Sequence, residues 1–236
     1  KPHCSFCIRI LISHWFIKNY NTVFKNFDFA RYFMNSAIVA MLACFFNCLI
    51  SSLAAYGFAK KNFVGKEFIF WIYLATLMIP SQVILVPMTL IIRKLHIVNT
   101  YAALFLPLVN AFGVFLIKQF LESLPNDLLE AARMDGCGEF SIFIRIVIPL
   151  IKPALVSLTV FTFITSWNSF IWPLISITNQ NRNTLTLALS SLQGNYATNY
   201  GLVMAGATLT FLPPFILYLV LQKQFVEGIA LSGIKG

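Results

Sequence analysis

An all-α, polytopic transmembrane helical bundle is the fold class this sequence predicts, and three observations predict it. Of its 236 residues, 58% are apolar and only 11% charged, against roughly 25% charged in a water-soluble domain, and the mean hydropathy is +0.79. Charge-free apolar stretches recur along the chain, long enough to cross a bilayer. Eight of the ten prolines lie inside those stretches, where neighbouring helices can satisfy the carbonyls that proline frees. A soluble globular domain is therefore excluded. The 24 Phe, 8 Tyr and 4 Trp exclude a solvated, disordered chain as well.

Five spans follow in order. Residues 34–59 contain no Asp, Glu, Lys, Arg or His and exceed the roughly 20 residues that a crossing needs. Along them Ser36, Ala40, Cys44, Cys48 and Ser52 recur every four residues, a small-residue stripe for close helix contact. Residues 68–92 form the second span, with Pro80 and Pro87. Residues 101–117 form the third, bounded by Asn99 and Lys118, with Pro107 inside. The fourth stretch, 147–177, is too long for one straight crossing, so it is expected to lie partly along a surface or to break at Pro153 or Pro173. Residues 202–222 are the fifth span and hold Pro213 and Pro214. So many prolines fit bent helices around a cavity, and they fit equally the general abundance of proline in membrane helices.

Outside the spans, residues 1–30 begin with Lys, and their best apolar run is interrupted by Arg9 and His14. They neither span nor read as a signal peptide. The expected organisation is an extracytoplasmic N-terminal segment, 1–30, of a truncated chain, followed by a membrane domain, 31–236. The net charge of +9 does not point to nucleic acid, because the basic residues lie singly rather than on one face. Such residues anchor helix ends at the headgroups. Counted by side they divide nine against eight, which leaves orientation open. Cys4 and Cys7 beside His3 lack the second ligand pair of a zinc site, so no metal is expected. Cys44 and Cys48 belong to the packing stripe, and Cys137 is single.

The energy source is also constrained. Coupling to ions through side-chain charge needs ionisable groups inside the membrane; spans one, two, three and five have none, and Lys152 lies near a span end. His3, His14 and His96 fall in connections. The segment from Gly57 to Gly65-Lys66 has the wrong spacing for a phosphate loop, with Glu67 where Ser or Thr belongs. No carboxylate pair or His cluster forms an acid–base set, so no catalytic residue is assigned. Energy must come from a partner or from the solute gradient.

One connection stands apart: residues 122–145 hold five of the eight acids, Glu122, Asp127, Glu130, Asp135 and Glu139. LPNDLLEAARMDG reads as a short helix, with Pro125 in its first turn and Asp127 and Glu130 near its positive end. Leu128, Ala131 and Ala132 are expected to line one face, and Gly136 and Gly138 to allow a sharp turn. The helix is a docking element or a solvated connection.

At these residues the sequence resembles a known family. Glu130-Ala131-Ala132, then Gly136, then Ile146, Val147, Ile148 and Pro149 resemble the EAA signature of permease subunits in binding-protein-dependent ABC importers, with Ile148 replacing the usual Leu. Further stretches are similar to the carbohydrate-uptake branch, of the maltose and multiple-sugar type: residues 32–36, 77–87, Asn99-Thr100-Tyr101, SWNSFIWPL at 166–174, and the closing FVEGIALSGIKG. The likeness covers about residues 19–236. It implies the type I ABC importer permease fold, with the usual first of six spans missing. It also implies that the helix at 126–134, within a cytoplasmic loop at 122–149, couples to a separate ATPase subunit. Glu130 would face basic or polar groups of that subunit, Ala131 and Ala132 would permit close approach, and Arg133, Asp135 and Gly136 complete the motif.

The resemblance further implies a bacterial inner membrane location with a cytoplasmic C-terminus, and partners: a second permease subunit, two ATP-binding subunits that hold ATP and Mg, and an extracytoplasmic sugar-binding protein. This chain itself would carry no cofactor. Alternating access driven by ATP is the implied mechanism; an ATP-independent facilitator or channel for small polar solutes is the alternative. Sugar sites favour aromatic platforms beside amides and hydroxyls, so Trp167, Asn168, Ser169 and Trp172 are candidates for the substrate path, with Asn110, Gln82 and Asn47 as further polar groups. Buried Asn and Ser also bond neighbouring helices, and Trp favours the interface. The polar, nearly uncharged connection 178–200 is either the external loop that meets the binding protein or a plain solvated loop.

Overall fold

The computed structural model describes residues 18–25, 28–195 and 200–233, and it is a helical bundle. Residues 18–25 form a helical segment whose Val23 packs with Phe29 and Trp167. The pair Cys4 and Cys7 with His3 lies outside the described residues.

Helix α1, Phe29–Lys60, is continuous for 32 residues, about 48 Å at 1.5 Å per residue. The small-residue stripe predicts its buried side, and Ser36, Ala40 and Ser52 are buried there. Polar side chains stitch α1 to α8 (Lys152–Trp167): Asn47 donates to Thr162 Oγ1 at 2.9 Å, and Cys44 Sγ to the Thr159 carbonyl at 3.5 Å. Met41, Phe45 and Leu53 face outward.

The second expected span is not one helix. Helix α2, Lys66–Ala75, gives way to a 3-10 turn at Thr76–Met78, and α3 starts only at Leu85–Lys94. Pro80 is the reason: it offers no N–H and pushes Ile79 to extended backbone, observed at φ −82° and ψ 119°. The third stretch is bent by 44° between Tyr101–Leu108, which contains α4 (Tyr101–Phe105), and α5, Ala111–Glu122. Its helix continues past Ile117, and Lys118, expected at a span boundary, is buried. The ammonium reaches Glu122 at 2.6 Å and sits 4.2 Å above the Phe70 ring, which is how a buried charge is tolerated.

The fourth stretch breaks near both expected prolines. Helix α7, Glu139–Leu150, includes a π-turn at Phe143–Val147, and it meets α8 at 73° around Ile151, two residues before Pro153. Helix α8 stops at Trp167, and α9, Ile171–Ser176, holds Pro173 in its first turn. The connection read as a loop from 178 to 200 is largely helical: α10 spans Leu185–Asn195, with Leu185, Leu187 and Ala188 buried. Its first residues form a loop around a 3-10 turn at Gln180–Arg182, and they are pinned. Asn35 donates to the carbonyls of Asn181 and Asn183, both at 2.9 Å, and Asn99 Oδ1 accepts from the Thr178 N–H at 2.7 Å. Helix α11, Tyr200–Gly233, runs through Pro213 and Pro214.

Among the described residues two helices are long and apolar enough to cross a membrane, Phe29–Lys60 and Tyr200–Lys223, or up to four if each bent pair is one span. The second of the five expected spans is not among them. Between α1, α5 and α8 the backbones approach closely: Gly113 lies against Ser51, Asn47 and Leu158.

Candidate functional site

Helix α6, Asp127–Met134, occupies the expected position, and Gly136 ends it at φ +78°. That left-handed conformation is the one glycine adopts without a Cβ penalty. Gly138 has φ −69° and ψ 155°, ordinary extended backbone, so Gly136 alone makes the turn.

The buried face of α6 keeps Ala132 of the expected three residues and replaces the other two with Leu129. Leu129 and Ala132, three residues apart, are inward and join the apolar cluster of Ala55, Ile117, Leu121 and Ile142. Leu128 and Ala131 face outward. Composition cannot choose between adjacent leucines; the angle at which α6 meets the bundle does. Burying Leu129 contributes about 2 kcal/mol, which seats the helix and leaves Glu130 exposed. Met134 and Phe140 are 89% and 73% exposed, apolar side chains presented outside the bundle.

A carboxylate absent from the expected site organises the far end of this helix. Glu139 Oε1 accepts from Lys61 Nζ at 2.5 Å and from Arg133 Nε at 3.1 Å, while its Oε2 accepts from Tyr56 Oη at 2.7 Å. Lys61 first and Tyr56 second hold this carboxyl down from its ordinary 4.5 to about 2. Arg133, one of the expected motif residues, is correspondingly pushed up by its bond to Glu139. At the other end, Lys60 Nζ donates to the Leu124 carbonyl at 2.7 Å and to Asn126 Oδ1 at 2.8 Å. Five acids in one connection were the visible signal; which of them is bonded was not.

A second feature lies between the broken helices: a cavity of about 510 Å³ lined by Ser81, Gln82, Thr165, Asn168, Ser169 and Trp172, with Leu85, Met88 and Pro107 among its apolar walls. Its size and its mixture of apolar walls with few polar groups suit a small polar solute. Asn168 caps the C-terminal end of α8 and faces this space. Trp172 lines it too, with its indole N–H donated to the Ala103 carbonyl at 2.8 Å.

The other candidates are placed elsewhere. Trp167 is 2% exposed, stacks on Phe163 and donates to the Thr210 carbonyl. It is a core residue: Phe163 of its own helix stacks on the ring, Phe33 of α1 meets it edge-to-face, and α11 takes its only donor. Asn110 accepts from the Gly113 N–H at the start of α5 and lines a separate gap of about 30 Å³ with Asn47 and Thr162, room for one water. Asn47 spends its amide on Thr162.

Broken apolar helices around a largely apolar cavity with a few polar groups, and a charged helical turn held outside them, define a helical membrane protein of the transport class. The chain belongs to the family of inner membrane components of binding-protein-dependent transport systems, whose model matches residues 47–230. It is 36% identical over 220 residues to an arabinooligosaccharides transport system permease protein, AraQ, of Bacillus subtilis, covering 92% of this chain and 78% of the relative. The lactose transport system permease protein LacG of Rhizobium radiobacter is 33% identical over 92% of this chain and 80% of its own length. The sn-glycerol-3-phosphate permease protein UgpE of Pectobacterium atrosepticum is 36% identical over 85% and 73%. A solved bacterial ABC transporter involved in alginate import has a chain of the same fold, with a TM-score of 0.75 and 24% identity over 88% of this chain and 79% of that one. The protein is therefore a transport permease in the membrane and not an enzyme. Binding-protein dependence favours the importer reading over a facilitator.

Proposed function

We propose that this chain is one of two permease subunits of an ATP-driven carbohydrate importer, and that α6 is its coupling helix. The observation that carries the reading is geometric: Leu129 and Ala132 fix the helix to the bundle while Glu130, Leu128 and Met134 stand outside it, free to meet a partner. The partner would be a subunit that binds ATP and Mg. Two such subunits closing on ATP would push the coupling helices, and the broken spans would then expose the cavity to each face in turn.

In this arrangement α6 and the C-terminus are cytoplasmic, and a loaded sugar-binding protein docks on the opposite face, against the pinned segment 178–183. The relatives named for arabinooligosaccharides and lactose support a carbohydrate. The amides and hydroxyls of Gln82, Asn168 and Ser169 beside Trp172 suit sugar hydroxyls, although the second permease would hold part of the substrate.

The test is uptake of labelled arabinotriose and lactose by the reconstituted importer, with ATP hydrolysis measured in parallel. Glu130→Ala removes the outward charge, and Gly136→Val forces a β-branched residue into the left-handed region, at roughly 1–2 kcal/mol. Both are expected to cut uptake per ATP while the spans still insert. Gly138→Ala, in ordinary backbone with nothing within 4 Å of a new Cβ, is the control and keeps uptake. Normal uptake with Glu130→Ala and Gly136→Val would remove the assignment.

A further inference from the structure

We propose that the end of α1 at Lys60 is clamped to both ends of α6, making α1 the rigid route from the coupling helix to the cavity wall, with Glu139 as a positioning residue. This rests on the reading of α6 as the coupling helix.

The covalent neighbours of α6 are α5 and α7, and both lead into the bundle through bends. The path through α5 turns by 44° before it reaches α4, and the path through α7 turns by 73° before it continues as α8. A bent joint absorbs displacement. Helix α1 has no such break across its 32 residues, yet it is separated from α6 by more than sixty residues of sequence and can follow it only through side chains.

Those side chains form two separate attachments. Lys60 holds the entry to α6 through the Leu124 carbonyl and Asn126. Tyr56 and Lys61 hold its exit through Glu139, which also binds Arg133 on the last turn of α6. The eight residues of α6, about 12 Å of helix, lie between the two. A single attachment would be a pivot, whereas two at opposite ends of the helix transmit rotation as well as translation. Between them Ala55, Leu129 and Ala132 are packed in one apolar cluster, and the Tyr56 ring lies 5.5 Å from that of Phe143 on α7.

The opposite half of α1 packs against the wall of the cavity, through Trp172. Val39 and Ala43 pack in the cluster that contains Trp172 and Phe105, and Phe46 stacks on Phe105 at 4.9 Å. From Lys60 to Ala43 is about 25 Å of unbroken helix. Half-exposed ion pairs contribute little to stability, so the role of Glu139 is to fix geometry rather than to hold the fold together.

The experiment compares Glu139→Gln, Lys61→Met, the double variant and Lys60→Met in the complete importer, in proteoliposomes with its ATPase subunits, second permease and binding protein. Uptake of labelled arabinotriose and lactose per ATP hydrolysed is read beside the amount of assembled complex. Expected is a fall of at least threefold in uptake per ATP with Glu139→Gln at unchanged assembly. The double variant is no worse than the poorer single one, because both remove the same joint, and adding Lys60→Met lowers the ratio further. Tyr56→Phe deletes one hydroxyl, and it supplies the readout if Glu139→Gln does not assemble. Unchanged uptake per ATP, or a fall matched entirely by lost complex, overturns the clamp. Glu130→Ala run alongside separates the two readings: if it uncouples while Glu139→Gln does not, only the clamp fails, and if neither does, the coupling helix itself fails.

Discussion

Gly113→Ala is expected to loosen the crossing of α1 and α5. A Cβ built at this position collides with Ser51 Oγ and comes to 3.0 Å from Asn47 Oδ1 and 3.1 Å from Leu158 Cδ2. Two of the three are tied by hydrogen bonds, since Ser51 donates to Asn47 Oδ1 at 3.0 Å and Asn47 donates across to Thr162, and Leu158 is fully buried. Overpacking of this kind costs about 1–3 kcal/mol, and disturbing the Ser51–Asn47 bond adds about 0.5–1.5 kcal/mol. Alanine returns about 1 kcal/mol through its better helix propensity. The net loss is about 2 kcal/mol, roughly thirtyfold in the folded-to-unfolded ratio. The assay is SDS titration of detergent-solubilised protein, followed by tryptophan fluorescence. Gly57→Ala is the control, since nothing lies within 4 Å of a Cβ there, and it is expected to be neutral or stabilising. Ser51→Ala combined with Gly113→Ala removes the collision and recovers part of the loss. Equal stability of Gly113→Ala and wild type would show that the helices do not cross this closely.

The two tryptophans and Asn168 are predicted to separate by assay. Trp167→Phe leaves the buried Thr210 carbonyl without its donor and lowers stability by about 1–2 kcal/mol with KM for uptake unchanged, whereas Asn168→Ala shifts KM or rate without a comparable loss of stability. A severalfold KM change in a fully stable Trp167→Phe protein would refute the core assignment. Acid provides a further check: Glu139 is held below its ordinary 4.5, at about 2, so its bonds are fully present above pH 4.5 and are lost as pH falls towards 2. Protease accessibility of the 122–149 loop is expected to stay flat from pH 8 to 5 and to rise below 4.5, and Glu139→Gln to remove that acid-dependent rise.

Local chemistry carried much of this into the sequence. A helix at Asp127–Met134 follows from Pro125, the early acids and a glycine just past its end, and the turn at Gly136 needs only the residue type. The break near Pro80 follows from a missing N–H, and Pro153 and Pro173 mark where a new helix starts, since a proline is tolerated in a first turn. The helix at Leu185–Asn195 was less legible, because polar residues around it suggested a loop, and its burial depends on neighbours far along the chain.

The sequence by itself determined the solvent of this protein and the place of its charged helix, because hydropathy, proline and glycine act within a few residues. Tertiary structure alone decided that Leu129 rather than Leu128 faces inward and that Trp167 is core while Asn168 meets the cavity. It alone joined Glu139 to Tyr56 across 83 positions of sequence. Those outcomes depend on which helix covers which face, and periodicity within one helix cannot specify its neighbour.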